Sequence, residues 1–420
     1  MDAVAERANL LSNATSNILP LNQARLVIFA LAVGGFAIGT TEFSAMSLLP
    51  YFARDLGVDE PMAGHVISAY AAGVVVGAPA LALLGARWPR RKLLIWLMGM
   101  FALANACSAL APTYGWLVGF RFLSGIPHGA YFGVAMLVAA SVVPPQRRAQ
   151  AVGRVLIGLT IATIVGVPLA TWMGQALGWR SGFAVVAILA ILTVALLARF
   201  VPDVAPDPDA SPLRELGALK RRQVWLTLAT GAIGFGGMFA VYAYLATTLT
   251  AVTHMSSHAV PIVFCIFGAG MTVGTFVTGW LADRAVMPTA GGLLLWSAAS
   301  LALFPFAAGN VYAISAVVFL IGCGGGLGTA LQTRLMDVAE DSQTLAAALN
   351  HSAFNTANAI GPLLGGLAIA HGYGWESTGW VGTALALCGF AIWAVSLFDE
   401  SRTSRRAMAA RRNAPAHCGQ

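Results

Sequence analysis

The chain reads as an all-α membrane protein, with twelve transmembrane helices in two pseudo-symmetric six-helix bundles and both termini cytoplasmic. Three observations predict this. The composition is 58% hydrophobic and only 10% charged, with a mean hydropathy of +0.76, whereas soluble domains are about a quarter charged. The chain divides into twelve apolar runs, each near the roughly 20 residues that a membrane helix needs. The Lys and Arg residues lie asymmetrically about those runs.

The runs lie at 26–49, 62–85, 93–112, 116–142, 151–173, 181–201, 223–250, 259–282, 289–308, 311–332, 345–370 and 379–398. None keeps a two-residue alternation, so they read as helices and not barrel strands. Forty-six glycines and nineteen prolines suit membrane helices, which tolerate both. Residues 1–24 form a cytoplasmic N-terminal segment of mixed polarity; with no cleavable apolar core, it is not a signal peptide. The spans at 25–201 form the first bundle and those at 223–398 the second. The polar, Pro/Asp-rich stretch 202–222 is a cytoplasmic linker between them, and 399–420 is a basic cytoplasmic tail. The tail reads as disordered and solvated, or as touching anionic lipid. The bundles echo each other: GAPALALLGARWPRRK ends the second span and GTFVTGWLADR the eighth; RFLSGIPHGAYFG marks the fourth and FLIGCGGGLG the tenth. Transporters use internal repeats of this kind.

With the N-terminus inside, 21 of the 24 basic residues fall on the cytoplasmic side or its interface; Arg54 and Arg180 fall outside and Arg121 lies within a span. The net charge of +7 is therefore topology and not a nucleic-acid surface. Cys107, Cys265, Cys323 and Cys388 lie in apolar runs and read as small buried side chains, with no metal or disulfide spacing. GCGGGLG at 322–328 lies inside a span and so is not a phosphate loop. The sequon at Asn13 would be cytoplasmic. No cofactor, metal site or catalytic constellation is expected, and without a Walker A sequence ATP drive within the chain is not expected either.

Glu42 stands apart as the one acid inside an apolar run; the other sixteen Asp and Glu residues read as loop or tail residues. A carboxylate at that depth costs about 2.5–3.5 kcal/mol on insertion scales and generally serves an ion, a proton or a substrate. The plainer reading is a protonated Glu satisfied by a backbone carbonyl. It sits about 12 Å of helix inside Pro50. Gly39, Ala45 and Met46 share its face and offer room, and Thr41 is the adjacent hydroxyl. A strong partner must come from another span.

Arg121 is the one base well inside a span, at a depth like that of Glu42. It reads as a partner of Glu42 in a shared cavity or as a side chain snorkelling outward. His128 and Phe132 follow on its face. His128 has two readings, a substrate or proton group and a structural histidine between helices. The eleventh span carries Asn350, His351, Ser352, Asn355 and Asn358 within nine residues; His351, Asn355 and Asn358 share a face, and these polar groups read as a stripe facing a cavity or as bonding other helices. Phe239 and Tyr242 share a face of the seventh span, suited to an amphipathic organic molecule or to packing.

The segments GTTEFSAMSLLP (39–50), ARWPRRKLL (86–94), RFLSGIPHGAYFGVA (121–135), GVPLATWMGQALGWRSGF (166–183), FGGMFAVYAYLATTLT (235–250) and ALNHSAFNTANAIGPLLGG (348–366) resemble the major facilitator superfamily. Within it they are similar to the twelve-span drug:proton antiporter branch, with its sugar-efflux-type permeases and chloramphenicol-resistance exporters. The resemblance implies a proton-coupled exporter of a small organic molecule, an amphenicol or a sugar-like metabolite, working as a monomer by alternating access. Proton coupling falls to Glu42 and Arg121, the latter matching a fourth-span signature. The cavity falls to Thr41, Ala45, Met46, His128, Phe132, Phe239, Tyr242, Asn350, His351, Asn355 and Asn358. Gly166, Pro168 and Gly174 match the antiporter motif, which accompanies export. Arg90, Arg91, Lys92, Asp283 and Arg284 match a cytoplasmic gate, although ARWPRRK lacks the family's Asp. An uptake symporter or facilitator on the same fold and a non-transporting receptor are the alternatives.

Overall fold

A computed structural model describes residues 18–85, 88–203, 216–339 and 343–413. Most of the N-terminal segment and linker, the end of the tail, the Asn13 sequon, Arg87 and Cys418 lie outside the described residues. Twelve helical spans are long and apolar enough to cross a membrane: α1 (Leu21–Ser47), α2 (Glu60–Leu81), α3 (Arg90–Ala109), α4 (Tyr114–Ser141), α5 (Gln150–Leu177), α6 (Arg180–Phe200), α7 (Arg222–Val252), α8 (Ser257–Ala282), α9 (Val286–Ala307), α10 (Val311–Ala339), α11 (Ala348–Ala370) and α12 (Ser377–Arg402). The described residues contain no strand.

Several spans outrun their apolar cores, because backbone groups at a helix end still need partners where lipid gives way to polar headgroups. Two expectations change as a result. The helix containing α12 continues to Asn413, so the tail is helical that far and not disordered. Acids are not confined to loops and tails: Glu60 opens α2 and an exposed Asp337 lies near the end of α10. Even so, among the described residues Glu42 is the one buried acid and Arg121 the one buried Lys or Arg.

Proline and glycine shape the spans locally. Pro127 separates the helices Tyr114–Gly125 and His128–Ser141 of α4, since its ring supplies no backbone donor. In α5 a π-helical turn, Ala162–Gly166, precedes Pro168; the widened turn accommodates the donor that Pro168 lacks. α7 breaks at Phe235, and α10 carries a 3₁₀ turn at Gly324–Gly326.

Small residues set the packing inside each half. A Cβ on Gly73 would stand 2.1 Å from Phe122 O, one on Gly77 2.1 Å from Ile126 O and one on Gly125 2.0 Å from Tyr70 O, so α2 and α4 touch through their backbones. In the second half Gly270 meets Phe319 O, Gly274 meets Cys323 O and Gly322 meets Phe267 O in the same way, joining α8 to α10. A constant offset of 197 residues relates Gly73 to Gly270, Gly77 to Gly274 and Gly125 to Gly322. The two halves thus repeat one packing device, the close approach that membrane helices achieve through small residues.

One apolar core lies wholly within α1–α6, around Leu31, Phe101 and Tyr131. A larger one runs from Phe43 and Met46 in α1 through α7 to α10, joining the halves. Large apolar side chains such as Phe29, Leu84, Ile188, Phe276 and Phe306 are exposed on the outside, where lipid would cover them. The cysteines differ from expectation: Cys107, Cys265 and Cys323 are half-buried and Cys388 is exposed. A thiol is apolar enough to face lipid, so residence in an apolar run does not imply burial.

Between α1 and α2 the short helix Leu49–Leu56 carries Asp55. Trp179 Nε1 donates to its carboxylate at 2.9 Å, and Arg180 pairs with it. These two partners hold the Asp55 pKa below its ordinary 3.8. The stabilisation is therefore complete above pH 3.8 and disappears as pH falls through the depressed value. For a pair this exposed it amounts to at most about 1 kcal/mol. Thermal melts of the purified protein should find Asp55→Asn slightly less stable at pH 7, with the gap closing toward pH 3. A gap unchanged at acid pH would remove the carboxylate from the account.

Candidate substrate and proton site

Glu42 lies where α1 meets the second half. Its side chain is 7% exposed, and Asn358 Nδ2 of α11 donates to Oε1 at 3.3 Å. The partner thus comes from another span, and from the opposite bundle. Glu42 forms no ion pair among the described residues. The room expected on its face is absent: Ala45 and Met46 are fully buried, and a Cβ on Gly39 would meet Leu159 and Ala162 at 2.7 and 2.9 Å. α5 fills that space, because glycine and alanine there let it come close.

Arg121 is fully buried, so it does not snorkel. Nη1 donates to Thr41 Oγ1 at 2.9 Å and Nη2 to Thr41 O at 3.4 Å. Thr41 Oγ1 donates in turn to Asn105 Oδ1 at 2.8 Å. The guanidinium lies 4.3 Å above the Tyr70 ring and 5.2 Å from that of Phe183. Aromatic faces attract a cation, most strongly where water is excluded. Arg121 is therefore held by the hydroxyl and carbonyl of Thr41, one residue away from Glu42 in sequence, and by two rings, and not by the carboxylate itself. Thr41 is consumed by this network and offers nothing to a cavity.

Tyr70 continues the chain of contacts, with its OH 2.9 Å from His128 Nδ1. His128 lies 5.8 Å, ring to ring, from His351 of α11, and Phe132 stacks on His351 at 5.3 Å and 7°. The fourth and eleventh spans, and so both halves, meet through these rings.

The polar side chains of α11 take different partners. Asn350 Nδ2 donates to Gln332 Oε1 of α10 at 2.6 Å, which ties that amide to a neighbouring helix. Asn355 Nδ2 donates to His351 O at 3.0 Å. Both Asn355 and Asn358 direct their NH₂ groups at oxygens, so the atoms left over are carbonyl oxygens. Asn355 Oδ1, Asn358 Oδ1 and Tyr242 OH are buried without a protein partner. Orphaned buried polar atoms are rare and generally mark bound water or ligand. Tyr242 belongs to an aromatic wall in which Phe43 faces Phe239 at 6.2 Å and Tyr242 at 5.7 Å, and Phe239 meets Phe235, which meets Phe354 at 4.6 Å. Among the described residues no group of three His, Cys, Asp or Glu could hold a metal ion.

At the end opposite the termini, hydrogen bonds tie the halves together. Thr247 Oγ1 donates to Glu60, and Gln175 Nε2 donates to Ser257 O at 2.7 Å. Midway, Ser68 Oγ donates to Ala359 O at 3.0 Å. In α5, Gly166 packs against Thr40 and Gly174 against Leu48, while Pro168 follows the π-helical turn. This bends α5 around α1.

Among the described residues no ion pair joins Arg91 or Arg284 of the expected gate to Asp283. Arg91 pairs with Asp203 at 3.5 Å, so the acid missing from ARWPRRK is supplied from beyond α6. Lys92 is exposed and Arg90 opens α3. Arg284 donates to Trp280 O at 2.7 Å and covers that ring, while Asp283 is exposed and in no ion pair among the described residues.

Sequence reasoning missed Tyr70, Asn105, Phe43 and Glu60. Asn105 was within reach, being an amide inside the apolar run FALANACSAL. Tyr70 and Phe43 carry no comparable signal, because an aromatic in an apolar helix looks like packing.

Comparison with known proteins agrees with this architecture. Residues 31–289 and 228–416 match the model of the Major Facilitator Superfamily. The inner membrane transport protein YdhP of Escherichia coli K12 is 41% identical over 366 residues, which cover 86% of this chain and 92% of the relative. The chloramphenicol resistance protein of Streptomyces lividans is 34% identical over 354 residues, covering 82% and 90%. A bacterial homologue of the lysosomal transporter Spinster, solved in an inward-facing, unoccupied conformation, superposes with a TM-score of 0.67 over 90% of this chain and 98% of that one, at 16% identity. The chain belongs to the Major Facilitator Superfamily: it is a multi-pass membrane transporter and not an enzyme.

Proposed function

We propose that this transporter exports a small organic molecule across the inner (plasma) membrane in exchange for protons, with Glu42 as the proton carrier. The observation that carries the reading is the Glu42–Asn358 hydrogen bond, which joins a buried acid of one half to the other half. Charge-assisted hydrogen bonds are about twice as strong as neutral ones. Protonating Glu42 weakens a contact between two bodies that must rock apart, so proton binding biases which side of the cavity opens. Arg121, held by Thr41 and Tyr70, keeps a positive charge in the network next to Glu42.

The cargo would lie between the aromatic wall and the free oxygens of Asn355 and Asn358. Those oxygens accept and do not donate, so a cargo with N–H or O–H groups on an apolar body fits. The resistance named for the Streptomyces relative and the bend at Pro168 support export. The positive-inside distribution supports termini in the cytoplasm, with residues 202–222 linking the halves of a functional monomer.

Inverted vesicles containing the protein, loaded with an acid-interior pH dye, test the reading. Amphenicols, amines, sugars and nucleosides are added in turn. Proton release triggered by at least one donor-bearing compound is expected. Labelled-substrate exchange with no proton movement would replace antiport by uniport, and proton flux in the same direction as substrate would replace it by symport.

A further inference from the structure

On the outer surface of the first bundle a cleft of about 390 Å³ runs between α1 and α5. Arg25 and Arg154 line it together with an apolar bed that includes Phe29, Phe36, Ile157 and Ile161. Its floor is the contact of Gly158 with Ala32, where a Cβ would stand 2.1 Å from the carbonyl. Phe29, Ile157 and Ile161 are exposed at 58%, 46% and 45%. They face the region that lipid occupies in a chain of this class.

Both arginines sit one helical turn inside the start of their span. From Arg25 to Phe36 the bed descends about 16 Å, close to one leaflet of a hydrocarbon core about 30 Å thick. Arg91, Arg180, Arg222 and Arg334 have acidic partners, but Arg25 and Arg154 have none among the described residues. Two uncompensated guanidiniums at the headgroup level attract an anionic head, since arginine forks match phosphate oxygens.

We propose that this cleft is a binding site for an anionic phospholipid, with its phosphate on Arg25 and Arg154 and one acyl chain along Phe29, Ile157, Ile161 and Phe36. A zwitterionic lipid brings a phosphate too, but the ammonium of its head is repelled by the same arginines. The site is separate from the substrate cavity and stands whether or not the transporter exchanges protons.

Native mass spectrometry of the full-length protein tests it, using phosphatidylglycerol and phosphatidylcholine with identical chains. The wild type is expected to retain phosphatidylglycerol preferentially. Arg25→Gln and Arg154→Gln should each weaken retention about fivefold, following the contribution of one basic group near a lipid surface. Ile157→Trp should displace the lipid with no change in charge. Arg147→Gln, exposed at the same end but outside the cleft, should leave retention unchanged, and inorganic phosphate should not compete. Equal retention of both lipids would overturn the site. So would a loss with Arg147→Gln as large as that with Arg25→Gln, which would indicate diffuse surface charge, or displacement by inorganic phosphate, which would indicate a simple anion site.

Discussion

Glu42→Gln is expected to abolish uphill export while sparing exchange of cargo down its own gradient. The glutamine carbonyl can still accept from Asn358 Nδ2, which lies 3.3 Å from the native carboxylate. The contact between halves, and therefore the rocking motion, is retained. Titration is lost. A gradient of one pH unit corresponds to about 1.4 kcal/mol per proton, or roughly tenfold accumulation of cargo; the variant should give no accumulation. The measurement pairs proton-driven efflux with labelled-substrate counterflow in the same vesicles. Full proton-driven accumulation by the variant would take the coupling role away from Glu42. Loss of counterflow as well would mean the residue is needed for binding or folding.

Gly125→Val is expected to damage both stability and transport strongly. A Cβ at position 125 falls 2.0 Å from Tyr70 O and 3.1 Å from Val74 N, both backbone atoms that no side-chain rotation can move aside. Overpacking of this kind costs about 1–3 kcal/mol, and valine adds two further methyls. Relief requires α4 to shift away from α2. That shift would take Arg121 off the Tyr70 ring, now 4.3 Å away, and His128 off the Tyr70 hydroxyl, now at 2.9 Å. Both melting temperature in detergent and transport should fall. Gly119→Val is the matched comparison, since a Cβ there meets nothing within 4 Å. A Gly125→Val protein as stable and active as Gly119→Val would mean that the α2–α4 contact does not position the site.

The internal repeat shows how chemistry departs from architecture. The 197-residue offset that matches the glycines places Phe239 opposite Glu42 and Val318 opposite Arg121. The packing device is duplicated, but among the described residues the buried acid and the buried arginine both lie in the first half. The second half instead contributes amides and rings: Asn358 to Glu42, His351 to Phe132, and Phe239 and Tyr242 to Phe43. A site assembled this way depends on both halves at once, and so any change in their relative position is felt at Glu42.

Much was legible in the chain itself. Twelve spans follow from apolar run length, because a helix must satisfy its backbone internally wherever lipid surrounds it. Glu42 and Arg121 could be picked out because a charge inside an apolar run is costly however the helices are arranged. Partners were not legible, since they depend on which faces meet. Arg121 is held by Thr41 and Tyr70 where Glu42 was the obvious candidate. Asn350 and Asn358, eight residues apart on one helix, serve different neighbours, Gln332 within the second half and Glu42 across the interface. Asp203 supplies an acid that the loop before α3 lacks. Helix periodicity says which residues share a face; only the packing of twelve helices decides what that face meets.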